Sequence, residues 1–349
     1  MSTWPSVLSA LLTGEQLTPD AASWAMAQIM DGEATHAQVA GFAVALRAKG
    51  ETADEVGALV ATMLDRAARI TVDGPAVDTC GSGGDRSHTV NLSTMAAVVV
   101  AGTGTTVVKH GNRAASSTCG SADLLEALGV AIDLTPAAVE ECVRRAGIGF
   151  CFAPVFHPAL RHTGQARRDL GVATVFNFLG PLTNPAQPGA QAVGVSDARM
   201  APVLAGVLAA RGTSALVFRG DDGLDELTTA TTSRVWRVGG GSVTEEKLDP
   251  AELGIAASSG DDLRGADAAT NAGIARAVFD GERGAVRDAV LLNAAAALTA
   301  ARGADSPLGT LVDELRFDLA RAAESVDSGG AAAALDRWAA ATQELRPAT

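Results

Sequence analysis

Three stretches of the chain concentrate groups that handle anions and cations. The first, Asp78-Thr79-Cys80-Gly81-Ser82-Gly83-Gly84-Asp85, follows a short strand at Val77 and runs into a helix opening at Asn91-Leu92-Ser93-Thr94. Glycines permit positive φ and close backbone approach, and successive N–H groups at a helix start form a cradle for phosphate. The run has neither the terminal Gly-Lys-Ser/Thr of a nucleotide P-loop nor the Gly-x-Gly-x-x-Gly of dinucleotide folds, and a tight strand-to-helix turn would use the same residues. The second stretch, Lys109-His110-Gly111-Asn112-Arg113-Ala114-Ala115-Ser116-Ser117, follows Val107-Val108 and leads to a helix start at Gly120-Ser121-Ala122-Asp123. Two cations, an amide and hydroxyls at the carboxyl end of a strand favour an oxyanion cradle over a loop that needs only solubility. Lysine is a selective choice here, because of the 27 basic residues only Lys49, Lys109 and Lys247 are lysines. The third stretch is Asp225-Glu226, in the loop after a strand ending Val217-Phe218-Arg219-Gly220. Adjacent carboxylates can splay around a hard cation that also binds substrate phosphates, or they can form a solvated acidic turn.

These stretches need strands and helices to hold them. The first 70 residues read as helices with clean punctuation: Thr18-Pro19-Asp20 starts one, Thr35-His36-Ala37-Gln38 is a capping box for the next, and Thr52 opens a third after Gly50. With a short helix before them they are too few for a large core and should pack on something else. After Ile70 short β-branched runs alternate with helices. Val107-Val108, 148–152, 192–195 and 215–218 read as buried strands, with helices over 92–101, 121–128, 136–146 and 198–210 between them. That alternation predicts an α/β domain with a central, mainly parallel sheet. Ser233 to Thr244, with Gly239-Gly240-Gly241 inside it, reads as an edge hairpin, and 267–279, 285–301 and 331–341 as cover helices.

Composition bounds the function. The chain has 349 residues, a formal net charge of −13 and 47% hydrophobic residues, which excludes a disordered chain and disfavours a general binder of nucleic acid or anionic membrane. No signal segment or membrane span is expected, since the apolar runs are short or interrupted. Cys80, Cys119, Cys142 and Cys151 show no Cys-x-x-Cys pairing and read as small buried hydrophobes, so a reducing cytoplasm is the expected location.

In order along the chain, Gly81-Ser82-Gly83-Gly84-Asp85, Asn91-Leu92-Ser93-Thr94, Lys109-His110-Gly111-Asn112-Arg113 and Gly120-Ser121-Ala122-Asp123 resemble the motifs of the anthranilate phosphoribosyltransferases of tryptophan biosynthesis. Phe152-Ala153-Pro154, His157-Pro158, the run from Phe176 to Pro185 and Asp222-Gly223-Leu224-Asp225-Glu226 continue the resemblance, which extends to about residue 300. Ser82 stands where the family usually has Thr, and Arg86 where Gly is common.

The resemblance implies a nucleoside-phosphorylase-like α/β fold, with a small helical domain (residues 1–72 with 155–186) and a large α/β domain (73–154 with 187–349). It implies a homodimer formed through the helical parts, Mg²⁺ as cofactor, and transfer of the phosphoribosyl group of 5-phosphoribosyl-1-pyrophosphate (PRPP) to the amine of anthranilate. Contacts to PRPP would come from Gly81, Gly84, Asp85, Thr89, Asn91, Leu92, Ser93, Thr94, the run Lys109 to Ser117 and Ser121, with Lys109 stabilising the leaving group. Anthranilate would meet Gly81, Asn112 and Arg167, and the metal Ser93, Asp225 and Glu226. His110 and His157 are expected to order loops, because an aromatic amine is already neutral at pH 7. A pyrimidine nucleoside phosphorylase and a non-enzymatic nucleic-acid-binding relative of the same fold are the alternatives. The run Lys109 to Arg113 and the acidic pair weigh against the first, the net charge against the second. No amidotransferase segment is expected within the chain, and association with an anthranilate synthase partner stays open.

Overall fold

The computed structural model describes residues 1–114, 118–303 and 309–346. Four helices come first: α1 (Trp4–Leu12), α2 (Pro19–Met30), α3 (His36–Lys49) and α4 (Ala53–Asp65). Thr3, Thr18, Thr35 and Thr52 each cap a helix, and Thr35 with Gln38 forms the expected capping box. The α/β part then runs β1 (Val77–Gly81), α5 (Leu92–Gly102), β2 (Val107–Gly111), α6 (Ser121–Ala127), α7 (Pro136–Ala146), β3 (Ile148–Phe152), α8 (Ala153–Phe156) and α9 (Gly164–Leu170). It continues with β4 (Ala190–Gly194), α10 (Met200–Ala210), β5 (Ser214–Gly220), β6 (Ser233–Gly239), β7 (Ser242–Leu248), α11 (Ala268–Phe279), α12 (Ala285–Arg302), α13 (Leu311–Asp327) and α14 (Gly330–Leu345).

The strands form one sheet in the order β3-β2-β1-β4-β5-β6-β7. The first five are parallel, and β6 and β7 join antiparallel as the edge hairpin. Strands β1 and β2 extend well beyond the sequence reading: Asp78 to Gly81 belong to β1, and Lys109 to Gly111 to β2. Helix α13 is an addition, opened by a Thr310–Asp313 capping box.

Two cores hold the layers together. On one face of the sheet α5 and α12, buried almost all round, pack with α7, α13 and α14. On the other, α10 shares a core with the N-terminal helices, including Met26, Phe42, Leu59, Leu204, Leu208 and Trp236. Burying several such side chains at ~1.5–3 kcal/mol each explains how a short helical unit is stabilised on the sheet. Ala166, Phe176, Phe178, Leu179 and Leu182, from the segment after β3, join this second core. Among the described residues no helix is long and apolar enough to cross a membrane.

Candidate active site

The strand order reverses at β1. After β1 the chain builds β2 and β3 on one side, then returns to place β4 on the other. In open α/β sheets the crevice beyond the carboxyl ends at such a switch is where ligands bind. Here β1 and β4 end side by side at Gly81 and Gly194, and Asp225 lies against both. A Cβ on either glycine would strike it.

The loop after β1 curls through Gly83 (φ 72°), Gly84 (φ 88°), Arg86 (φ 60°) and His88 (φ 53°). Left-handed residues let the loop turn sharply within a few positions, with close backbone approach. The near leg is pinned by Ser196, whose Oγ donates to Gly83 O at 2.8 Å and whose N–H donates to Ser82 Oγ at 3.0 Å. Asp85 accepts from Ser87 N–H, and Thr89 pairs with Arg264 on the far leg. The loop delivers the chain to α5, where Asn91 stands at the cap position without a capping bond. Leu92, Ser93 and Thr94 form the buried first turn, and Thr94 Oγ1 has no partner among the described residues.

Strand periodicity sends Lys109 and His110 to opposite faces of β2. Lys109 is wholly buried, and its Nζ donates to Thr79 O at 2.5 Å and Ser93 Oγ at 3.2 Å. His110 turns toward the segment after β3, with Nδ1 3.0 Å from Gly180 O, while His157 Nε2 lies 2.7 Å from Thr183 O. The rings are 5.2 Å apart. Burial, followed by the neighbouring His157, pushes His110 down to about 3, and burial also lowers His157. Both rings are therefore neutral, each donates to its carbonyl, and His110 Nε2 and His157 Nδ1 are buried without partners among the described residues.

Beyond Gly111, Asn112 Oδ1 accepts from Arg113 N–H. Arg113 pairs with Asp123 and Glu126, and Asp123 also accepts from Ala114 N–H and Gly120 N–H, so this arginine closes its own loop. Ser121 begins α6. Ala115, Ser116 and Ser117 lie outside the described residues.

Asp225 and Glu226 are buried, at 8% and 7% exposure. Gly83 N–H donates to Asp225 Oδ2 at 2.5 Å, and Ser93 N–H to Glu226 Oε1 at 3.2 Å. Burial raises both carboxyls. Asp85 and Glu226 push Asp225 higher still, and Glu226 rises to about 8 even beside Lys109. Glu226 Oε2 has no partner among the described residues. Hard oxygen donors set in mutual repulsion, with one buried oxygen unmatched, fit a divalent cation such as Mg²⁺, which binds through one or two carboxylates together with substrate phosphates.

Arg167 lies on α9, in the segment that leaves β3 at this same edge. It is half-buried, its guanidinium makes no hydrogen bond or ion pair among the described residues, and burial lowers its pKa. Its neighbour Arg168 is exposed and bonded to Gln165. A half-buried guanidinium without an acid is poised for an anionic ligand.

Several residues that shape the site had no role assigned from sequence. Asp78, wholly buried on β1, has its carboxyl pushed up to about 6 by burial against the pull of Lys109. It accepts from Asn184 Nδ2 at 2.9 Å and His110 N–H at 3.2 Å. Asn293 on α12 clamps both backbone groups of Leu227 and so fixes the acidic pair. The signal available for these was an isolated polar residue in an apolar run.

Comparison with known proteins identifies the family. The profile described as "Glycosyl transferase family, helical bundle domain" matches residues 5–67, and "Glycosyl transferase family, a/b domain" matches 73–332. The anthranilate phosphoribosyltransferase of Acidothermus cellulolyticus is 64% identical, over 98% of this chain and 96% of its own length. This chain belongs to the anthranilate phosphoribosyltransferase family. The Streptomyces griseus member is 60% identical over 97% of this chain and 95% of its own. Among solved structures, the anthranilate phosphoribosyltransferase of Thermus thermophilus superposes with a TM-score of 0.89 at 40% identity, covering 97% of this chain and 99% of that one. A Saccharomyces cerevisiae family member, solved in complex with PRPP and Mg, shares the fold at 24% identity with a TM-score of 0.87, covering 98% of each chain.

Proposed function

We infer that the crevice at the β1–β4 switch transfers the phosphoribosyl group of PRPP to the amine of anthranilate, giving N-(5-phosphoribosyl)anthranilate and pyrophosphate. The observation that carries this is the burial of Lys109, Asp225 and Glu226 together under a left-handed glycine loop. A fold needing only stability would not gather them there, because unmatched buried charge is costly. PRPP brings two polyanionic groups, and the two loops supply separate donor sets: Gly81, Gly84, Asp85, Thr89 and the α5 start on one side, the Lys109–Ser121 stretch on the other. Lys109, held by Thr79 O and Ser93 Oγ, presents fixed positive charge where the pyrophosphate departs. Ser93, Asp225 and Glu226 would hold Mg²⁺, which when bound neutralises charge building on the leaving group.

Arg167 pairs with the anthranilate carboxylate, with Asn112 and Gly81 beside it, so that the neutral amine faces the ribosyl carbon. His110 ties β2 to the segment after β3 through the carbonyl of Gly180, and His157 braces that segment internally through the carbonyl of Thr183. We place residues 1–72 and 155–186 in one unit that closes over the crevice and excludes water from the oxocarbenium-like centre. On α1 and α3 of that unit Leu12 and Val44 stand exposed at 79% and 43%, which supports a homodimer contact there. The chain would act in the cytoplasm.

Mixing the protein with anthranilate, PRPP and Mg²⁺ should extinguish anthranilate fluorescence with stoichiometric release of pyrophosphate. Phosphate-dependent cleavage of a pyrimidine nucleoside without that loss would overturn the assignment.

A further inference from the structure

We propose that Asn271, on α11 and outside both loops, is a positioning residue that locks the two substrate loops to each other. Its side chain is buried, at 2% exposure. Its Oδ1 accepts from Ala266 N–H at 2.8 Å, and its Nδ2 donates to Asn91 Oδ1 at 3.1 Å. Asn91 in turn donates through Nδ2 to Cys119 O at 2.9 Å. The polarity is fixed at both ends, since a backbone N–H only donates and a carbonyl only accepts, so each amide has one allowed orientation. The Asn271 side chain is also in hydrogen-bond contact with the Cys119 thiol. This explains why Asn91 sits at the start of α5 without capping it: its amide spans from α11 to the second loop.

The segment just before α11 grips the first loop by its backbone. Val90 N–H donates to Leu263 O at 2.9 Å, Gly265 N–H donates to His88 O at 2.8 Å, and Thr89 pairs antiparallel with Arg264. Gly265 permits the approach, because a Cβ there would meet Thr89 O and Val90 N at 2.9 Å. Residues 263–271 therefore hold the far leg of the first loop directly and reach the second loop through Asn91. The proposal rests on the reading of these loops as the PRPP cradle: spacing fixed in advance spares the two donor sets reorganisation when one substrate spans both. Asn271 acts through Asn91 and Cys119, so its loss should weaken PRPP and spare anthranilate.

The test titrates PRPP with Mg²⁺ calorimetrically into wild type, Asn271→Ala and Asn271→Asp. Anthranilate KM is measured alongside, as is the iodoacetamide labelling rate of Cys119 relative to Cys151, read by mass spectrometry. Asn271→Asp keeps the acceptor for Ala266 and replaces the donor to Asn91 with a carboxylate oxygen that repels Asn91 Oδ1. Both variants should bind PRPP about 10-fold more weakly, the loss of one buried donor, with Cys119 labelled faster. Anthranilate KM should stay within about two-fold of wild type, and combining Asn271→Ala with Asn91→Ala should cost no more than Asn91→Ala alone, as expected for residues acting in series. If Asn271→Ala does not fold, Asn271→Asp and Gly265→Ala, which pushes the same loop from the other side, carry the decision. PRPP affinity unchanged in folded Asn271→Asp, equal loss for both substrates, or additive losses would each overturn the relay while leaving the functional reading standing. A wild type that binds no PRPP would overturn both.

Discussion

Glu55 in the helical unit and the pair Asp225-Glu226 in the crevice are buried alike, at 1%, 8% and 7% exposure, but their surroundings differ. Glu55 receives Leu17 N–H on one oxygen, and Lys49 Nζ, Thr52 N–H and Thr52 Oγ1 on the other. Both oxygens that burial strips of water find donors, and the result ties α3, α4 and the α1–α2 link together. Asp225 and Glu226 receive one backbone N–H each, repel one another and Asp85, and leave Glu226 Oε2 unmatched. The first arrangement is complete without a ligand. The second is left incomplete by the protein, as the proposed metal site requires. Glu55 is satisfied by its own surroundings, whereas the acidic pair keeps a buried oxygen without a partner among the described residues.

The sharpest contrast comes from cutting one charge in each region. Glu55→Ala leaves Lys49 buried without its acid and should cost ~3–5 kcal/mol in urea unfolding, with kcat of the folded protein unchanged. Lys109→Met should do the reverse, lowering kcat/KM about 10²- to 10³-fold, the usual effect of removing one preorganised donor at a site of developing charge. A Glu55 variant with wild-type stability, or a Lys109 variant that is merely unstable, would break the comparison.

Arg167 extends it to the second substrate. Arg167→Ala should raise anthranilate KM about 10- to 100-fold, equivalent to ~1.5–3 kcal/mol for a charge-assisted contact, and leave PRPP affinity nearly unchanged. Equal damage to both substrates would assign Arg167 to the frame.

The smallest effect belongs to His110, matched at one ring nitrogen and unmatched at the other. Its folded pKa of about 3 lies below the ordinary 6.5, so between those values the unfolded chain binds a proton that the folded protein refuses. Its contribution to stability is constant above pH 7 and falls as pH drops through 6.5, by at most ~2 kcal/mol at pH 5. Unfolding free energies of wild type and His110→Gln should accordingly converge or cross as pH falls. A difference that is flat from pH 7 to 5 would mean that His110 takes up its proton in the fold as readily as in the unfolded chain.

Local chemistry made much of this legible in sequence. The threonine caps, the strand–helix alternation and the edge hairpin depend on neighbours within a few residues, and Pro136–Ala146 appears as read. The strands β1 and β2 were read short because Asp78, Lys109 and His110 are polar residues at buried strand positions. Tertiary partners such as Asn184 override their preference. Helix α13 went unread although Thr310-Asp313 caps it and Leu311, Leu315, Ala322 and Val326 line its buried face, since charged residues between them dilute the pattern. The anion loops were visible as composition, but Asn271, Asn293 and Ser196 act across more than 60 positions of sequence, where only the fold shows the pairing.

The most direct test of the central claim is a Mg²⁺ titration of anthranilate consumption at saturating PRPP, in wild type and in the Asp225→Ala/Glu226→Ala double variant. Wild type should show a saturable rise. The double variant should lose about 100-fold or more in kcat, with a shallow or featureless Mg²⁺ curve and a smaller change in PRPP affinity, because neutralising the leaving group matters most in the transition state. A double variant with wild-type turnover and wild-type Mg²⁺ dependence would contradict the account and make the buried pair part of the frame.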